Sequence, residues 1–195
     1  VLGACLGALL LLGCAPLVVG GAMVGGTLMF MDRRTTGAQV DDQAIELKAG
    51  NRIKDVGGPN AHVNVTSYNR TVLLTGEVAS DADRSALEQA VQRIENVRST
   101  VNELGVMPAS AIGSRSQDTV ITSKVKATLV DARDLQANAF KVVTERSVVY
   151  LMGRVTEREA NRATELARAV SGVQKVVRVF EVVSEAELAE SAPKK

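Results

Sequence analysis

The chain has 195 residues, 46% of them hydrophobic but only 3% aromatic, with no Trp and a formal charge of +1. Its core must therefore be aliphatic, and a near-neutral chain poor in aromatics is a poor match to nucleic acid. The only cysteines are Cys5 and Cys14, so the chain beyond them has no disulfide and no tetracysteine zinc site.

Residues 1–31 carry no charged side chain. The apolar run closing on Leu11-Leu12-Gly13-Cys14 has the layout of a secretory signal over residues 1–13, with Cys5 inside the discarded core. The cysteine at the cut resembles a bacterial lipobox, which makes Cys14 the expected lipidation site. A spanning helix is the alternative for a run of more than ~18 apolar residues. Gly20, Gly21, Gly25 and Gly26 argue against it, each costing about 1 kcal/mol in a helix. So does the break at Cys14-Ala15-Pro16. One feature departs from the signal pattern: no Lys or Arg precedes the apolar core, and the sequence opens on Val1. Residues 14–40 then read as a lipidated linker, with Asp32-Arg33-Arg34 at its far end helping to lift the folded domains off the bilayer.

The remainder is an internal repeat. Residues 63–78 align without gaps on residues 140–155 at an offset of 77, while Ile45, Ala49 and Ile53 match Ile121, Val125 and Leu129 at an offset of 76. Each copy reads as helix, strand, strand, helix, strand. The two β-rich runs meet at polar residues, Tyr68-Asn69-Arg70 and Glu145-Arg146-Ser147, as a hairpin requires. Gly76 and Gly153 are expected to end the second strand, where a missing side chain permits a bend or a close backbone approach. Ser80 and Thr156 start the second helix. Its inward stripe is Leu87, Ala90, Val91 and Ile94 in one copy, and Ala163, Leu166, Ala167 and Val170 in the other. Asn96 and Gly172 supply left-handed residues to stop it. The last strands are placed at 98–106 and 175–183. The expected fold is α+β: two tandem αββαβ domains at 41–107 and 118–184, each a small three-stranded mixed sheet packed on two helices. Residues 108–117 link them, and 185–195 form a tail with a short helical extension. The first copy holds seven basic and ten acidic residues, the second eleven and eight. The copies thus carry −3 and +3, and the second is better suited to an anionic surface.

The unit resembles the BON (bacterial OsmY and nodulation) domain. The stretches that carry the likeness are TGAQVDD at 36–42, VNVTSYNRTVLLTG at 63–76, DTVITSKVKATL at 118–129 and VTERSVVYLMGRVTEREA at 143–160. Two copies behind a lipobox resemble the dual BON-domain outer-membrane lipoproteins. That resemblance implies an acyl anchor in the outer membrane, since Ala15 stands after the cysteine where aspartate would retain the protein in the inner membrane. It implies domains in the periplasm, binding of anionic phospholipid such as phosphatidylglycerol, support of envelope integrity, and concentration at division sites. The lipid-binding element becomes the first helix of the second domain, Asp118–Asp131. Its lipid-binding residues are Val120, Ile121, Lys124 and Lys126, although Ile121 also falls on the core side with Val125 and Leu129. Lys141 and Arg146 are expected nearby. The family places an aromatic at the position of Val120, and valine is less suited to the headgroup layer.

Two alternatives are a periplasmic protein-interaction scaffold docking on the outer-membrane assembly machinery and an osmotic-stress protein without an anchor. No nucleophile has a recognisable base partner, His62 reads as a surface or strand-start residue, and the glycine clusters lack phosphate-loop spacing. No enzyme activity, cofactor, metal or nucleic-acid partner is expected.

Overall fold

A computed structural model describes residues 32–58 and 61–190. Cys14 and the signal segment lie outside the described residues. No helix among the described residues is long and apolar enough to cross a membrane.

The order is α1 (Thr36–Val56), β1 (His62–Tyr68), β2 (Thr71–Val78), α2 (Asp81–Gln92), β3 (Ser99–Val106), α3 (Ile112–Asp131), β4 (Phe140–Glu145), β5 (Val148–Val155), α4 (Glu157–Arg168), β6 (Lys175–Val182) and α5 (Glu185–Glu190). Each copy forms one three-stranded sheet with the second strand central. β1 and β4 pair antiparallel to it across a hairpin, while β3 and β6 pair parallel to it after a helical crossover. The α+β reading of two αββαβ units holds.

Both hairpins are tight two-residue turns with positive φ at each central position: Asn69 and Arg70 at 49° and 66°, Arg146 and Ser147 at 51° and 61°. Such turns suit the twist of the strands but disfavour side chains other than glycine. One buried aspartate per copy offsets that cost. The Asp42 carboxylate accepts from the Asn69 and Arg70 amides, and the Asp118 carboxylate from those of Arg146 and Ser147, all at 2.7–2.8 Å.

Two cores lie on the helix-facing sides of the sheets. Ile45 and Ala49 of α1 with Leu87 and Val91 of α2 cover Val72, Leu74 and Val78. Ile121, Val125 and Leu129 of α3 with Ala160, Ala163 and Ala167 of α4 cover Val149, Leu151 and Val155. The opposite faces of the two sheets meet each other: Tyr68 and Leu73 pack with Tyr150 and Met152, bordered by Val101, Val143, Val148, Val177 and Val179. Four layers result, helices outside and sheets within. This explains why the central strands are apolar on consecutive residues and not on alternate ones.

Several expectations shift. β2 and β5 run two residues past Gly76 and Gly153, because the parallel ladder continues to Val78 and Val155. The close approach at these glycines is real: a Cβ on Gly76 would run into the His62 carbonyl, and one on Gly153 into that of Ala139. α2 and α4 stop at Gln92 and Arg168. The left-handed Asn96 and Gly172, at φ 69° and 99°, therefore shape the turns after those helices and do not cap them. α3 starts at Ile112, so part of the expected 108–117 linker is helix.

The largest correction concerns Asp32-Arg33-Arg34, which is not a free spacer. The Arg33 guanidinium donates to both Glu159 carboxylate oxygens at 2.7 and 2.8 Å, to Gln136 Oε1 and to the Arg154 carbonyl. Arg34 pairs with Asp32 and Asp42 and lies 4.4 Å over the Tyr68 ring. A bidentate, largely buried arginine is held by geometry as well as charge, so this segment is fastened to the second domain.

Candidate functional site

α3 presents an outward face built from the sequence upward. Ile121, Val125 and Leu129, spaced by four, are at most 2% exposed and seat the helix on its sheet. The reverse side carries Val120, 52% exposed, and Val130, 68% exposed, with Ala127 between them. Lys124 and Lys126 flank this stripe on either side, both exposed. Among the described residues neither lysine makes an ion pair. Four hydroxyls on the helix bond within it: Ser116, Thr119, Ser123 and Thr128 each donate to the carbonyl four residues earlier at 3.0–3.1 Å. That arrangement lowers the cost of bringing these groups against an apolar medium.

A groove of about 400 Å³ borders the stripe, lined by Asp32, Lys126, Leu129, Val130, Phe140 and Val142 among others. Asp32 is the first described residue of the chain. The clamp that Arg33 makes on Glu159 therefore brings the N-terminal segment into the second domain beside Lys126 and Val130. Nothing in the local pattern of Asp32-Arg33-Arg34 announced this, since the partner lies 126 residues away.

Of the expected lipid-binding residues, Val120, Lys124 and Lys126 share the exposed surface and Ile121 does not. Ile121 is 2% exposed within the second core, so it positions the helix and cannot itself meet lipid. Lys141 and Arg146 are also elsewhere. Lys141 Nζ bonds Glu46 at 2.8 Å and the Ser67 carbonyl, and Arg146 bonds Glu77 at 3.1 Å. Both make their contacts between the domains while staying partly exposed, Lys141 from strand β4 and Arg146 from the β4–β5 turn. The residues missed in the sequence are those that join the domains, above all Glu77 and Tyr68, and the paired Asp42 and Asp118 that hold the hairpin of each copy. The aspartates had a signal, for they recur at the 76-residue offset in front of two hairpins.

Electrostatics at the joint predict acid lability. The Arg33 guanidinium, outweighing burial, holds the Glu159 carboxyl below its ordinary 4.5, helped by the Thr156 backbone. Burial pulls Glu77 upward, but hydrogen bonds from Ser110, His62 and Arg146 win and hold it low. Burial raises Glu145 instead. A carboxyl lowered on folding stabilises the protein above its unfolded value and loses that contribution as pH falls through its folded value. Glu145 has the opposite slope, losing stability as pH rises through its raised value. Two lowered groups against one raised predict a net loss of stability below about pH 4.5. Urea unfolding followed from neutral to acid pH should show that loss, and Glu159→Gln should flatten it. An unaltered slope in the variant would count against the Arg33 clamp.

The BON domain family model matches residues 41–108 and 117–184. The chain is 37% identical over 171 residues to the outer membrane lipoprotein DolP of Haemophilus influenzae, covering 86% of this chain and 88% of that one. It is 34% identical over 155 residues to the 21 kDa hemolysin of Actinobacillus pleuropneumoniae, covering 78% and 80%. It is 30% identical over 141 residues to the osmotically-inducible protein Y of Escherichia coli, covering 70% of each.

Proposed function

Because this chain belongs to the BON-domain family, with two copies making up most of its length, we propose that it is an outer-membrane lipoprotein. In this reading it is acylated at Cys14, and its second BON domain binds anionic phospholipid in support of envelope integrity. The observation that carries the binding reading is the outer face of α3: two lysines that make no ion pair among the described residues flank an exposed Val120–Val130 stripe whose neighbouring hydroxyls are internally bonded. A helix of this kind lies in the interface with its apolar side against acyl chains and its cations among headgroups. Asp32, which lines the groove with Lys126, supports the same orientation, since it stands at the edge of the face that would meet the bilayer. Envelope placement and lipidation draw support from the likeness to an outer membrane lipoprotein.

The opposite charges of the two copies do not call for an external protein partner. Lys141–Glu46 and Arg146–Glu77 use part of that complementarity between the domains.

Each basic residue near an anionic surface contributes about 1 kcal/mol. The double variant Lys124→Glu/Lys126→Glu should therefore weaken binding to phosphatidylglycerol vesicles by at least ~2 kcal/mol, or ~30-fold. The measurement is vesicle co-sedimentation with Cys14 replaced by serine, so that no acyl chain holds the protein down. Equal binding by the variant, or equal binding of the parent to neutral phosphatidylcholine vesicles, would exclude the proposed role of this face.

A further inference from the structure

One imidazole and two carboxylates converge where the two sheets meet. The β1–β2 register sets His62 opposite Glu77, and Glu145 closes β4 of the second domain. His62 Nδ1 lies 3.0 Å from Glu77 Oε2, and one ligating atom from each of the three residues falls within 4.8 Å of the others. Glu77 is 0% exposed and Glu145 6%. Their neighbours orient them. Arg146 donates to Glu77 Oε1 at 3.1 Å, leaving Oε2 for the imidazole, with Ser110 Oγ at 3.4 Å from that oxygen. Asn64 Nδ2 donates to Glu145 Oε2 at 2.8 Å. A cleft of about 330 Å³, lined by His62, Asn64, Arg115, Thr119, Thr122 and Glu145 among others, gives access from solvent.

A structural clasp accounts for His62, Glu77 and Arg146 but not for Glu145. The Asn64 side chain that bonds it is a neutral amide, which a glutamine in place of Glu145 would satisfy without burying a charge. Among the described residues Arg146 pairs with Glu77, and no ion pair reaches Glu145.

We infer that His62, Glu77 and Glu145 bind one divalent transition-metal ion, zinc by preference, which fastens the two domains together. Mixed imidazole and carboxylate donors suit zinc and its neighbours, whereas calcium and magnesium favour all-oxygen shells. Tetrahedral zinc with bonds of ~2.0–2.1 Å sets neighbouring donors roughly 3.3 Å apart. The His62–Glu77 edge is close to that already, and Glu145 needs to close in by no more than about 1.5 Å on the same geometry. The cleft supplies water for the fourth position. Arg146 and Asn64 stay on the outer oxygens and fix the carboxylates in place, as partners of metal ligands commonly do.

The chain has a single histidine, so its ring resonances report on this cluster alone. Zinc chloride titrated into tag-free, chelator-stripped protein should shift the His62 ring signals and saturate at one ion per chain. X-ray absorption at the zinc edge should show one imidazole with oxygen donors at ~2.0–2.1 Å. Glu145→Gln should weaken binding at least tenfold. Ring signals indifferent to equimolar zinc, a second imidazole or a sulfur in the zinc shell, or undiminished affinity in Glu145→Gln would each overturn the inference. Should that variant fail to fold, the spectra of the parent protein decide.

Discussion

Replacing Gly76 with alanine is expected to cost about 3 kcal/mol or more, combining backbone strain with overpacking. Gly76 sits at φ +116°, a conformation L side chains rarely adopt, and its added Cβ would run into the carbonyl of His62. Neither partner can yield cheaply, since both atoms belong to paired backbone in the β1–β2 ladder. The change also strikes the joint between domains: Gly76 adjoins Glu77, whose carboxylate holds His62 and Arg146. For a chain of this size that loss corresponds to a fall in melting temperature of roughly 6–12 °C. Gly50→Ala is the matched control. Its Cβ would meet nothing within 4 Å inside α1, so it should gain up to ~1 kcal/mol from helix propensity. Similar melting temperatures for the two variants would refute the tight approach at Gly76.

Met152→Asp is expected to separate the domains while leaving each one folded. The Met152 side chain is fully buried among Tyr68, Leu73 and Tyr150, where the sheets meet. A carboxylate there has no cationic partner, and burying it unpaired costs several kcal/mol. The two helix-side cores do not include this face, so the chain can escape the penalty by opening the joint. Small-angle scattering should show a larger radius of gyration with far-UV circular dichroism retained. Val120→Asp, on an exposed position of α3, should change neither signal. An unchanged scattering profile for Met152→Asp would mean that the sheets do not hold the domains together. Loss of all secondary structure would mean that the cores are not independent.

These two positions also mark how far local pattern reaches. Gly76 was legible because the repeat places a glycine late in each central strand, at Gly76 and Gly153, although the strands run two residues further than the sequence predicts. Met152 was legible as an apolar strand residue, but nothing nearby says what covers it. The same holds for Ile121 and Val120, adjacent on one helix: periodicity separates them into inner and outer sides, and the structure leaves one at 2% and the other at 52% exposure. Lys141 and Arg146 show the opposite case. Their charges are plain in the sequence, but whether a cation faces lipid or a neighbouring domain depends on which sheet face is covered.

The sequence by itself determined the two αββαβ copies, their helix-side cores, the polar hairpin turns and the basic bias of the second copy. Those features rest on periods of two and 3.6 residues and on an offset of 76 or 77, all readable along the chain. Only the tertiary structure decided that the sheets dock face to face, that Arg33 clamps Glu159, and that His62, Glu77 and Glu145 converge. The contacts between copies join residues as far as 112 positions apart, and the Arg33 clamp spans 126. Such pairings are selected by shape and charge at the docked surfaces and leave no periodic trace in either partner.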